Sequence, residues 1–135
     1  MLSCIKCGKD INGQGFKYCS NKCQSDQLYE EYIKNWKLGT VTGSRGVNAI
    51  GLSGHLRRYL LQVSGSVCQI CGWNKINPAT NRVPLEVDHI DGDSNNNKES
   101  NLRLLCPNCH SLTPSFRNLN KGRGRKWRKN KYLKN

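Results

Sequence analysis

The stretch "LEVDHIDGDSNNNKESNLRLLCPNCHSLTP", residues 85–114, sets an Asp–His pair before a turn-rich run and closes on Cys-x2-Cys-His. "RVPLEVDHI" reads as a strand led by a proline, with Leu85, Val87 and His89 alternating along it. "DGDSNNNKES" has the composition of a turn, and "NLRLLC" reads as a returning strand. "PNCHSLTPSF" reads as a short helix opened by a proline suited to its first position. A packed core does not need carboxylate, imidazole and thiol in one short segment. A metal site has a use for all three.

Upstream, Cys68-x2-Cys71 matches the spacing of Cys106-x2-Cys109. Two such knuckles present four thiolates to one tetrahedral zinc, a structural site with no open coordination position. A second quartet, Cys4, Cys7, Cys19 and Cys23, is spaced C-x2-C-x11-C-x3-C and reads as an N-terminal zinc ribbon punctuated by Gly8, Gly13 and Gly15. Disulfides are the other use for eight cysteines in 135 residues. "MLSCIKCGKD" has no apolar leader, and no segment approaches the ~20 apolar residues of a membrane span. The expectation is therefore a reducing cytoplasm, where thiolate–metal sites prevail. The modest apolar content points the same way, to small domains stapled by metal.

Between the quartets, "QSDQLYEEYIKNWKLG" predicts a helix with Leu28, Tyr29, Tyr32, Ile33 and Trp36 as its packing face and Gly39 as its stop. Residues 39–54, with five glycines, read as a loop. Ser53 is placed to cap a second helix through "GHLRRYLLQV", with Leu56, Leu60 and Val63 on one side and Arg57 and Arg58 exposed. His55 reads as a surface or helix-start histidine. The net charge is +13, and past Glu99 there are ten basic residues and no acid. That asymmetry favours a polyanionic partner over a merely solvated tail.

With the cysteines assigned, Asp88, His89 and His110 remain. Neighbours on a strand point to opposite faces, so Asp88 and His89 serve different roles. A carboxylate and an imidazole suit a hard or borderline divalent ion that keeps several waters, with the other imidazole free as a base. The alternative is that Asp88 accepts hydrogen bonds in the turn and His110 caps the zinc knuckle. On the residues alone both readings stand.

The order DH, Asn-Leu, C-x2-C-His between matched knuckles resembles the HNH nuclease motif, in the zinc-knuckle subgroup of the ββα-metal fold. The likeness covers residues 68–116. The "CxxCG…YCSxxC" ribbon, "HLRRYLL" and the "GRGRKWR" tail make the layout similar to free-standing HNH endonucleases of bacteriophages. The resemblance implies a small, zinc-stapled α+β protein. Its divisions would be a ribbon at 1–23, a helical and linker region at 24–65, an HNH nuclease domain at 66–117 and a basic DNA-binding tail at 118–135.

The implied activity is metal-dependent cleavage of double-stranded DNA, one strand nicked per active site. His89 matches the general base, and Asn101 the residue that braces the hairpin loop. Asp88 and His110 match ligands of a catalytic Mg²⁺ or Mn²⁺. Some relatives carry a further histidine one helical turn later, where this chain has Pro114. Two protein ligands would then remain, with water and phosphate oxygens completing the shell. Imidazole, with an ordinary pKa of about 6.5, suits proton abstraction at cellular pH.

Arg57, Arg58, Arg123, Arg125, Lys126, Trp127 and Arg128 are the candidate DNA contacts. The protein would act as a monomer or DNA-bound dimer, without membrane association, in the cytoplasm of an infected bacterium if phage-encoded. The rival from another class is a non-catalytic zinc-ribbon DNA-binding regulator, which has no use for a base. A junction-resolving nuclease is the second rival, and those place Asn where this chain has His110.

Overall fold

The computed structural model describes residues 2–13, 16–46 and 51–117. The chain divides into two units, residues 1–41 and 42–135. The described residues form an α+β protein with two small antiparallel sheets and three α-helices. None of these helices is long and apolar enough to cross a membrane.

In the first unit, β1 (Leu2–Ser3) pairs with β2 (Asp10–Ile11). The chain turns between them on a cysteine knuckle. Gly8 donates its N–H to the Cys4 carbonyl at 2.9 Å with φ +76°, a conformation that costs a β-carbon-free residue nothing. Helix α1 (Asn21–Lys37) begins at Ser20, whose hydroxyl accepts from the Cys23 N–H at 3.1 Å. It therefore starts inside the first cysteine quartet, and Cys23 sits in its first turn. Tyr29, Ile33 and Trp36 are buried, as the spacing predicts, but Leu28 is 48% exposed. One residue rotates a helix by about 100°, which carries Leu28 off the face that Tyr29 leads.

In the second unit, Ser53 caps α2 (Gly54–Ser64) by accepting from the His55 N–H at 3.2 Å. Leu56 and Leu60 are buried, whereas Val63, expected on the same face, is 59% exposed. It shares their angular position but lies in the last turn of the helix. Strand β3 (Glu86–His89) pairs antiparallel with β4 (Leu102–Leu105), placing Asp88 opposite Arg103 and His89 opposite Leu102. Helix α3 (Pro107–Ser111) follows directly and packs on both strands, while α2 packs on β4. Gln69, within the first knuckle, bonds Leu104 through its backbone N–H and its carboxamide oxygen, at 2.9 and 2.6 Å. That pins the Cys68–Cys71 knuckle to the sheet.

β3 is shorter than the "RVPLEVDHI" segment read as a strand. Leu85 donates its N–H locally to Val83 instead of to the ladder. The alternation also differs from expectation. Asp88, at 3% exposed, is the most buried residue of β3, and Val87 and His89 are only half-buried. The face that carries Asp88 is covered, because α3 packs on β3 and Arg103 pairs with the carboxylate.

Candidate active site and metal centres

The eight cysteines are all free thiols, gathered as Cys4, Cys7, Cys19, Cys23 and as Cys68, Cys71, Cys106, Cys109. In each quartet the four sulfurs lie within 4.8 Å of one another and could hold a metal ion. The resolved edges are 3.5 Å for Cys7–Cys19, 3.6 Å for Cys19–Cys23 and 3.7 Å for Cys71–Cys106. A tetrahedron with zinc–sulfur bonds of about 2.3 Å has edges of about 3.8 Å, so both sets are consistent with zinc. The C-x3-C spacing is explained by the start of α1, since Cys19 precedes its cap and Cys23 lies one turn on.

The thiols within each quartet differ in acidity. Burial pushes the Cys68 thiol up, but the N–H groups of Cys71, Cys106 and Ile70 outweigh it and bring it down to about 6. Cys4 is likewise lowered to about 6, against burial, by the N–H groups of Cys19, Cys7 and Lys6. Their partners go the other way. Burial and the Cys106, Cys71 and Cys68 sulfurs push Cys109 up to about 12, and the Cys7 and Cys23 sulfurs do the same to Cys19. Four thiolates repel one another unless a cation stands among them.

Asp88 and His110 come together across the β3–α3 packing, with His110 Nε2 4.0 Å from Asp88 Oδ1. A point between them can lie within about 2.1 Å of both, the reach of a metal–ligand bond. Each group is held by its other atom. His110 Nδ1 hydrogen-bonds the Glu86 carboxylate, and Asp88 Oδ2 accepts from Arg103 Nε at 2.7 Å. A carboxylate this buried would cost several kcal/mol without a compensating cation. Glu86 and Arg103 were not singled out from the sequence. Their signals were positional: Glu86 shares a strand face with Asp88, and Arg103 is its cross-strand partner.

His89 is oriented toward the loop. Its Nε2 lies 2.8 Å from Asn97 Oδ1. Asn101, in a single 3₁₀ turn (Glu99–Asn101), stitches that loop together. Its amide donates to Asp91 Oδ1 at 2.9 Å and to the Asn96 carbonyl at 2.8 Å, and its oxygen accepts from the Asp91 N–H at 3.0 Å. Asp93 N–H bonds Asp91 Oδ1, and Asn95 N–H bonds Asp93 Oδ1, so both aspartates serve turns.

Burial raises the Asp91 carboxyl, but the Asn96 amide, the Asp93 N–H and the Asn101 amide overcome it and hold it below 3.8. A folded value below the unfolded one means the stabilisation is complete above pH 3.8 and fades as pH falls through the lowered value. Asn101→Ala should therefore weaken the loop at neutral pH and blunt its acid sensitivity, read by amide exchange of residues 91–97 between pH 2 and 6.

A family model described as HNH endonuclease matches residues 68–113. Residues 68–113 are an HNH endonuclease domain. Over 56 residues, 42% of the chain, the sequence is 46% identical to the H-N-H endonuclease F-TflIV of Escherichia phage T5. The aligned stretch is 24% of that relative, so the chain spans about a quarter of its length. No solved structure matches the chain. The HNH domain contains one complete cysteine quartet together with Asp88, His89, Asn101 and His110.

Along α2, a cleft of about 490 Å³ is lined by Arg57, Arg58 and Arg82 with Leu61, Gln62 and Ser66. Arg57 also donates to the Leu85 carbonyl at 2.8 Å, just before β3. Arg123, Arg125, Lys126, Trp127 and Arg128 lie outside the described residues.

Proposed function

We propose that the protein is a metal-dependent DNA endonuclease of the ββα-metal type, nicking one strand per active site. Each cysteine quartet holds a structural zinc. The observation that carries the catalytic reading is the convergence of Asp88 Oδ1 and His110 Nε2, each with its second polar atom already engaged. Glu86 leaves His110 with Nε2 to offer, and Arg103 leaves Asp88 with Oδ1, so both would ligate through one atom each. Mg²⁺ or Mn²⁺ bound there supplies positive charge for the phosphoryl oxygens and the leaving 3′ oxygen.

His89 takes a proton from the attacking water. The water oxygen bonds to phosphorus as the bond to the 3′ oxygen breaks, and solvent protonates the leaving oxygen. Asn101 holds the loop in which the base's partner sits.

Metal binding tests the ligand assignment separately from chemistry. Asp88→Ala and His110→Ala should each weaken Mn²⁺ binding by more than the roughly 10- to 100-fold that losing an outer-shell partner costs, in a titration followed by electron paramagnetic resonance. Excess Mn²⁺ should partly restore cleavage. Unchanged Mn²⁺ affinity in both would refute the assignment.

Arg57, Arg58 and Arg82 form the proposed grip on flanking DNA phosphates, joined by the basic tail. Replacing Arg58 and Arg82 together by alanine should reduce the slope of log affinity against log salt by roughly 0.9 per lost phosphate contact. The rate at saturating DNA should be preserved. An unchanged slope would assign these arginines to solvent.

A further inference from the structure

We propose that Asn97 is a positioning residue for the reaction, fixing the tautomer of the His89 base. The inference rests on the nuclease reading above. Three asparagines, Asn95, Asn96 and Asn97, follow one another in the loop, and turn propensity treats them alike. Their surroundings differ. The Asn96 amide donates to Asp91 Oδ2 at 2.7 Å, whereas Asn97 is only 6% exposed and reaches the imidazole.

A carboxamide oxygen can only accept, so His89 Nε2 carries the ring proton and donates to Asn97 Oδ1. Nδ1 then holds the lone pair, which makes it the nitrogen that receives the proton from water. Once it does, the ring is positive, and the Nε2–H···Oδ1 bond becomes charge-assisted and stronger. The same contact that selects the reactive nitrogen thus also favours the protonated product.

The position of Asn97 is itself enforced. Asn101 grips the Asn96 carbonyl on one shoulder of the loop and Asp91 on the other. Asn97, the next residue after Asn96, is thereby aimed back at β3. Asn101 acts on His89 through Asn97.

The test uses the zinc-loaded full chain with ¹⁵N-labelled histidine. Asn97→Leu removes the acceptor at similar volume, and Asn97→Asp keeps an acceptor oxygen. In the parent, the His89 ring nitrogens should report the Nε2–H tautomer. In Asn97→Leu they should report a mixture, with kcat at least about tenfold lower but by no more than the roughly 10²–10⁴ that the positioned base itself contributes. KM for DNA and Mn²⁺ affinity should not change. Asn97→Asp should keep the parent tautomer and recover much of the rate. Asn101→Ala added to Asn97→Leu should cost little further, because both act on the same ring.

If the leucine variant does not fold, Asn97→Ser, whose hydroxyl stops short of the ring, is read in the same way. Should His89→Ala cleave like the parent, the base reading has failed, and the ring signals of the Asn97 variants still decide whether the contact fixes the tautomer. Parent-like ring signals in Asn97→Leu, or a loss confined to KM or metal affinity, would overturn the proposal.

Discussion

His89→Ala is expected to lower the single-turnover rate of DNA cleavage by roughly 10²- to 10⁴-fold, the range attributed to a positioned general base. DNA affinity, Mn²⁺ affinity and the cysteine centres should be unaffected. The ring is half-buried at the end of β3 and faces the loop, while the proposed metal ligands, Asp88 and His110, converge on each other. Its removal leaves the Asp88–Arg103 and His110–Glu86 pairs in place. The packed leucines Leu56, Leu60, Leu85, Leu104 and Leu105 are also untouched. A rate equal to the parent's would place the proton abstraction elsewhere.

Removing metal from the Cys68–Cys109 quartet should unfold the second unit. Its buried apolar core is a handful of leucines around a two-stranded sheet, an arrangement that is marginal without another staple. Structural zinc binds small peptides with an apparent free energy of about 10–16 kcal/mol, as large as the whole stability of an ordinary domain. The quartet is also the joint between elements. Cys68 and Cys71 flank Gln69, which is bonded to β4, and Cys106 caps α3 by accepting from the Cys109 N–H at 3.4 Å.

Metal analysis of protein purified without chelator should find two zinc ions per chain. Chelation should abolish the cooperative thermal transition of residues 42–117, with recovery when zinc returns. Cys106→Ser should behave like the chelated protein. A transition that persists unchanged after the metal has been stripped would contradict the structural role.

The cysteine quartets were legible because spacing alone constrains them, and a C-x2-C pair tolerates few other folds. The helix stops and caps at Ser53 and Gly39 were legible for the same local reason. The exposure of Val63 was not, because periodicity reports a helix face and says nothing about what packs against each turn of it. Glu86, Arg103 and Asn97 were hidden for a related reason. Each acquires its role from a partner across the hairpin or in α3, and those pairings exist only once the strand register is set. The polar run after His89 illustrates the limit. Asp91 and Asp93 are there for the turn, as their residue types suggest, while Asn97 has the same residue type as its neighbours and a different environment.

The most direct test of a metal-dependent nuclease is cleavage of supercoiled plasmid by the zinc-loaded full chain, with Mn²⁺ or Mg²⁺ added or withheld. Open circular DNA should appear first, with linear DNA only later, and neither should form without the added ion or with His89→Ala. Folded, DNA-binding protein that leaves the plasmid supercoiled in the presence of either ion would contradict the account.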